Sequence, residues 1–398
     1  MDKSSLPKAV VLSCSGGSQG DLSVVRTLGR EGVPVTVISE YKHSVALVSR
    51  YCNEPIYIKG FSSDHEKAVD FLIMYAKKQV KKPVLFPTAD PDLAFLSEQK
   101  DKLEKYYHFF ISSKYIIENF MDKSKFFHLA NKHNFSIPFT YTPKNIDEVI
   151  EVSNKIQYPA ILKPSFPPSW SNKNIQIIVN HKKAVTVNSK DELIGLYKKI
   201  TEYNKDMVIQ EYIHGGDDDL YSLHIYMDKN SEPVAYFTGR KIRTYPTYAG
   251  IGCFVQSIYV EDIIKEGIRM LKQVHYTGVA LLQFKRDSRT GEFKLLEVNP
   301  RVSSWNLLAY ECGINLPFIA YADTVGVEFK KPGRQKEDVK YVYLKNDFKA
   351  FLDYRKNGVW TLGSWLNSLK GKKVYQFYAS DDLKPSLVTM FRNIKKLI

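Results

Sequence analysis

The chain has 398 residues, 44% of them hydrophobic and 25% charged, a balance that builds a large buried core and excludes a long disordered tract. No apolar run is long enough to span a membrane as a helix, and the polar opening over 1–8 is unlike a secretion signal, so a cytoplasmic protein is expected. A formal net charge of +14 favours anionic partners, yet the lysines are scattered and no nucleic-acid-binding motif is present, so no nucleic acid is expected as a partner.

In chain order, a β-branched run over 10–13, an amphipathic stretch over 22–31 and a second run over 35–38 predict a βαβ opening. A helix over 64–78, a strand over 84–86, a helix over 93–105 and a strand over 109–112 continue the alternation. The order implies a parallel sheet flanked by helices, occupying residues 1–113. The stretch from Cys14 to Asp21 is rich in glycine and serine, as a tight turn at a helix N-terminus requires. It reads either as an anion or substrate loop or as plain βα turn geometry. It lacks the Gly-x-Gly-x-x-Gly spacing of a dinucleotide fingerprint.

From 114 to 326 the texture becomes α+β. Helices are predicted over 116–120, 122–132 and 147–156, and strands over 160–163, 175–179, 184–187, 208–212, 220–227, 234–238 and 254–259. A hairpin pairs 279–284 with 293–298 around the turn 287–291. The remainder, 327–398, is a basic C-terminal extension in which Trp360 and Trp365 precede Lys370, Lys372 and Lys373. That pattern suits an amphipathic helix docked on the protein's own core, or one making peripheral contact with an anionic membrane. The four cysteines, Cys14, Cys52, Cys253 and Cys312, have no metal-ligand spacing and read as reduced thiols.

Three stretches carry chemistry. In the first, a strand ends in Lys163, whose ammonium is a compact charge suited to phosphate. In the second, the apolar strand holding Gln210 and Glu211 passes Ile213 and enters the acidic turn Asp217, Asp218, Asp219. In the third, alternation along the hairpin sets Glu297, Asn299 and Arg301 on one face with Gln283 across from them. Those hard oxygens suit magnesium beside a triphosphate.

In this order and spacing the stretches resemble the ATP-grasp superfamily over about residues 8–326, with likeness to carboxylate–amine ligases and to the synthetase domains of carbamoyl-phosphate synthetase. The resemblance implies an α/β plus α+β fold class: a parallel-sheet pre-ATP-grasp domain, then two α+β lobes clamping ATP, with a hinge near 208–216. It implies that Lys163 and Lys123 meet the phosphates, and that Gln210 and the backbone from Glu211 to Ile213 address adenine. Asp218 or Asp219 would accept the ribose hydroxyls, while Gln283, Glu297 and Asn299 would hold Mg2+ or Mn2+. Arg301 and Arg243 are the candidates for gripping substrate carboxylate or transferred phosphoryl, since guanidinium forks fit both. Arg240 and Arg243 are expected to share a strand face.

Two departures stand out. Gln283 occupies a position where most members have an acid, and the proline-bearing stretch 165–174 replaces a glycine-rich phosphate lid. The implied activity is ATP-dependent joining of a small-molecule carboxylate to an amine. Thioester or carbamoyl chemistry, or a non-catalytic ATP-binding module, are the alternatives, and a homodimer is compatible with any of them.

Overall fold

The computed structural model describes residues 6–14, 20–165, 167–182, 184–248 and 250–395. Strands β1 (Ala9–Leu12), β2 (Val35–Ser39), β3 (Glu54–Tyr57) and β4 (Val84–Pro87) form a parallel sheet in the order β3-β2-β1-β4. The first, second and fourth are buried along their whole length, as strands covered on both faces must be. Helices α1 (Gly20–Arg30), α2 (His65–Lys77), α3 (Asp90–Glu98) and α4 (Lys100–Leu103) surround them. The predicted strand over 109–112 does not form; only His108 bridges to Val84. One edge of the sheet is β3, whose Pro55 suits that position. The glycine-rich residues Ser15 to Gln19 lie outside the described part of the structure.

Helices α5 (Lys114–Met121) and α6 (Lys123–Lys132) lead into a small lobe, with Ser113 and Asp122 capping their first turns. The lobe holds β5 (Thr140–Tyr141), α7 (Ile146–Ser153), β6 (Ala160–Pro164), α8 (Lys173–Ile178), β7 (Val185–Val187), α9 (Lys190–Thr201) and β8 (Met207–Glu211). Its antiparallel sheet runs β5-β8-β6-β7. Residues 175–179, expected as a strand, belong largely to α8. The side chain of Asn172 caps that helix, and Ile175 and Val179, four apart on one face, pack with Trp170 in the lobe core.

The large lobe is built on β9 (Leu220–Met227), β10 (Pro233–Tyr245), β11 (Ile251–Ser257), β12 (Gly278–Arg286) and β13 (Phe293–Asn299). Helix α10 (Glu261–Gln273) covers one face through Ile263, Ile264, Met270 and Leu271, while α11 (Asn306–Glu311) and α12 (Leu316–Val325) bring the other onto the first domain. One core joins Val25, Leu28 and Val37 to Phe237, Val279, Leu308 and Ile319. At the junction Gly278 has φ +101°, and a Cβ there would lie 2.0 Å from the carbonyl oxygen of Phe110, so no other residue fits without movement.

The basic extension is woven into this sheet. Strands β14 (Lys340–Val342) and β15 (Lys373–Tyr375) complete a seven-stranded order, β13-β12-β9-β10-β11-β14-β15. Helix α13 (Leu344–Lys356) lies against it, followed by α14 (Leu362–Ser368) and, after β15, α15 (Lys384–Lys395). Trp365 stacks on Phe351 with centroids 4.8 Å apart and donates its indole N–H to Asp347 at 2.9 Å. Trp360 covers the Arg243 guanidinium at 4.5 Å. Both tryptophans serve the protein's own core, the first of the two alternatives raised for this segment. No helix among the described residues is long and apolar enough to cross a membrane.

The Arg243 and Asp347 side chains are both wholly buried and paired at 2.6 Å. Asp347→Ala leaves that guanidinium without a counter-charge and is expected to cost about 3–5 kcal/mol, read from urea unfolding midpoints. A loss below about 1 kcal/mol would mean that the pair is not a structural anchor.

Candidate functional site

The small lobe contributes a cation fixed from below. Lys163 on β6 donates to Gln210 Oε1 at 2.8 Å, and Gln210, buried on the neighbouring β8, donates to Thr140 Oγ1 at 2.8 Å. The Phe127 ring lies 5.4 Å from the Lys163 ammonium. Burial, assisted by the nearby Lys123 ammonium, pushes Lys163 down to about 7, against the pull of the Glu297 carboxylate. Glu297 stands on the other lobe's sheet, so the two lobes meet electrostatically here. Lys123 opens α6 directly after its Asp122 cap.

The large lobe contributes a row of polar side chains set by strand register, with Gln283 opposite Glu297 and Leu281 opposite Asn299. Glu297 Oε1 accepts from Gln283 Nε2 at 2.6 Å and from Asn299 Nδ2 at 3.1 Å. Arg301 donates to Asn299 Oδ1 at 3.3 Å and forks onto Asp90 of the first domain at 2.5 and 3.2 Å. From β10, Lys241 donates to Gln283 Oε1 at 2.9 Å. Burial pushes Lys241 below the ordinary lysine range, with Glu297 and Asp217 opposing the shift. Among the described residues no group of three His, Cys, Asp or Glu could hold a metal. One carboxylate with an adjacent amide fits an ion that completes its shell from phosphate and water, and does not make an all-protein cage.

Around the turn between β8 and β9 the three acids have separate tasks. Asp217 is buried and accepts from Thr244 Oγ1 at 2.6 Å, from the Tyr248 backbone at 2.7 Å and from the Tyr354 hydroxyl of α13. Asp218 is exposed and pairs with Arg240 at 3.1 Å. Asp219 accepts from the Gly216 backbone at 3.1 Å, closing the turn. The ammonium of Lys285, on β12, sits 5.2 Å from the Tyr212 ring; burial lowers it, while Asp217, Asp219 and Asp287 pull it back up. Glu211 accepts from the Phe139 backbone at 3.0 Å, and Ile213 is buried.

Lys123, Lys163, Gln210, Glu297, Asn299 and Arg301 therefore converge, with Gln283 beside them. Arg243 does not join them. It has no exposed side-chain surface, lies 4.2 Å from the Phe254 ring, and both its Nε and an Nη bond Asp347, so it cannot grip a substrate. Arg240 and Arg243 lie opposite Gln256 and Phe254, two apart on β11, so they do share a face; the register shift at 241–243 brings this about, since simple alternation would set residues three apart on opposite faces. Lys241 was the residue passed over. It sits between two arginines on a strand, and only the pairing of β9 with both β10 and β12 turns it toward Gln283.

Residues 240–347 match the family described as ATP-grasp in the biosynthetic pathway with Ter operon. D-aspartate ligase of Enterococcus faecium is 25% identical over 75% of this chain and 73% of its own length. The carbamoyl phosphate synthase large chain of Methanothermobacter thermautotrophicus is 24% identical over 54% of this chain, but the match spans only 20% of that relative. In fold, the chain resembles N5-carboxyaminoimidazole synthetase from Staphylococcus aureus complexed with ADP. That structure has a TM-score of 0.61 and 14% identity, covering 83% of this chain and 80% of the other.

Lys163 gives the site a pH signature. Its folded value near 7 lies below the ordinary 10.5, so between these values the unfolded chain holds a proton that the folded chain lacks. Its contribution is complete above 10.5 and is lost as the pH falls through 7. Unfolding at several pH values should show wild-type stability rising from pH 7 to 10.5 more steeply than that of Lys163→Met. Parallel curves would mean an ordinary, solvated lysine.

Proposed function

Because the chain belongs to the ATP-grasp superfamily, we propose that it is an ATP-dependent ligase joining a small-molecule carboxylate to an amine through an acyl phosphate. The observation that carries this reading is the meeting of Lys163 from one lobe with the Glu297, Asn299 and Arg301 row of the other. A half-buried cation that feels a single carboxylate, with a guanidinium further along the same row, supports the handling of a triphosphate whose end group is transferred.

In this reading Lys163 and Lys123 meet the phosphates, Gln210 and the 211–213 backbone meet adenine, and Asp218 or Asp219 meets the ribose hydroxyls. Glu297 and Asn299 would hold magnesium, which when bound neutralises phosphate charge. The substrate carboxylate attacks the γ-phosphorus and ADP leaves. The amine then attacks the acyl carbon, and phosphate departs with the bridging oxygen. No protein nucleophile takes part. Arg301 stands where the lobe meets Asp90 of the first domain, so a substrate between the two would find a guanidinium beside the reacting oxygens.

The test is ADP release across a panel of carboxylates and amines, with heavy oxygen in the substrate carboxylate. Label recovered in phosphate supports the acyl phosphate; AMP, or unlabelled phosphate alongside amide, overturns it. Glu297→Gln should abolish turnover with an unchanged circular dichroism spectrum. Arg301→Ala should lower kcat by on the order of a hundredfold, and near-normal rates in either variant would remove that residue from the chemistry.

A further inference from the structure

Lys241 is 8% exposed, and its ammonium bonds the side-chain oxygen of Gln283 at 2.9 Å. The nitrogen of the same amide donates to Glu297 at 2.6 Å. Chemistry decides which way this amide points. An ammonium only donates and an ionised carboxylate only accepts, so the flipped amide would set N–H against N–H at one end and oxygen against oxygen at the other. One of the two lone pairs of the Gln283 oxygen, the atom a metal would need, is therefore held by Lys241. A divalent ion on that oxygen would also stand beside a buried like charge. Asn299 differs: its oxygen has a longer bond, 3.3 Å, to Arg301, a half-buried side chain whose main partner is Asp90.

We propose that Lys241 is a positioning residue that turns the Gln283 oxygen away from the metal, leaving Glu297 and Asn299 as the protein's metal ligands. The inference rests on the nucleotide-and-metal reading given above. It gives the amide at 283 a role of its own: a neutral bridge passes the ammonium's hold to the carboxylate and fixes Glu297 without occupying the ion. An acid there would instead either pair with Lys241 or seek the metal.

The experiment is Mn2+ titration of the full chain, followed by electron paramagnetic resonance, with a non-hydrolysable ATP analogue. Wild type, Gln283→Glu, Lys241→Met and the double variant form a cycle. Gln283→Glu alone should change Mn2+ affinity by less than about threefold, whereas in the Lys241→Met background the same change should tighten it about tenfold or more. Tightening of that size in the single variant, or none in the double, overturns the proposal. If Lys241→Met does not fold, wild type carrying glutamine labelled with 17O in its side-chain amide decides: an unbroadened Mn2+ spectrum supports the proposal, and broadening overturns it. Wild type binding no Mn2+ with the analogue would bring down the nucleotide-site reading itself, and this inference with it.

Discussion

A guanidinium with no solvent exposure must find its counter-charge inside the protein, and Arg243 finds it in Asp347, 104 residues along the chain. Desolvating two charges is unfavourable unless geometry and extra hydrogen bonds compensate. Here two bonds link the pair, the rings of Phe254 and Trp360 enclose the cation, and the Trp365 indole supplies a further donor to the anion. The result fastens α13 and α14 to the middle of the large sheet. From α13, Tyr354 then reaches Asp217, so the turn leaving the small lobe is held by the same element. A segment remote in sequence thus sets the strand that carries Lys241 and the turn that carries Asp218 and Asp219.

Lys163, Lys241 and Lys285 are all lowered by burial, and each feels carboxylates that only partly offset it. Cations kept short of counter-charge in a low-dielectric place favour an incoming polyanion, because the ligand supplies what the fold withholds. This local balance says more about binding than the overall charge of +14, most of which is spread over solvated surface.

The parallel sheet and the hairpin could be read from the sequence because their signals are local: β-branched runs, turn residues and alternation. The motif residues from Lys163 to Arg301 were visible because strand periodicity and chemical type coincided. What escaped was tertiary. Whether 175–179 is strand or helix depends on a cap at Asn172 and a core at Trp170. Arg243 and Lys241 lie two residues apart, and only sheet order and two register shifts send one into the core and the other toward the site. The role of residues 327–398 was hidden for the same reason, since β14 and β15 are short and find their partners far away in sequence.

The first domain contains a comparable long-range bond. Arg26 on α1 is fully buried, bonds Asp382 at 2.9 Å, and has that residue 356 positions downstream as its counter-ion; Arg30 pairs with Asp381 in the same way. During synthesis the first domain emerges long before those acids exist, so its nascent form must either leave Arg26 in water or hold α1 loosely. Its final packing waits until residue 382 has been made and has left the ribosome, which makes the closing of this domain a late event.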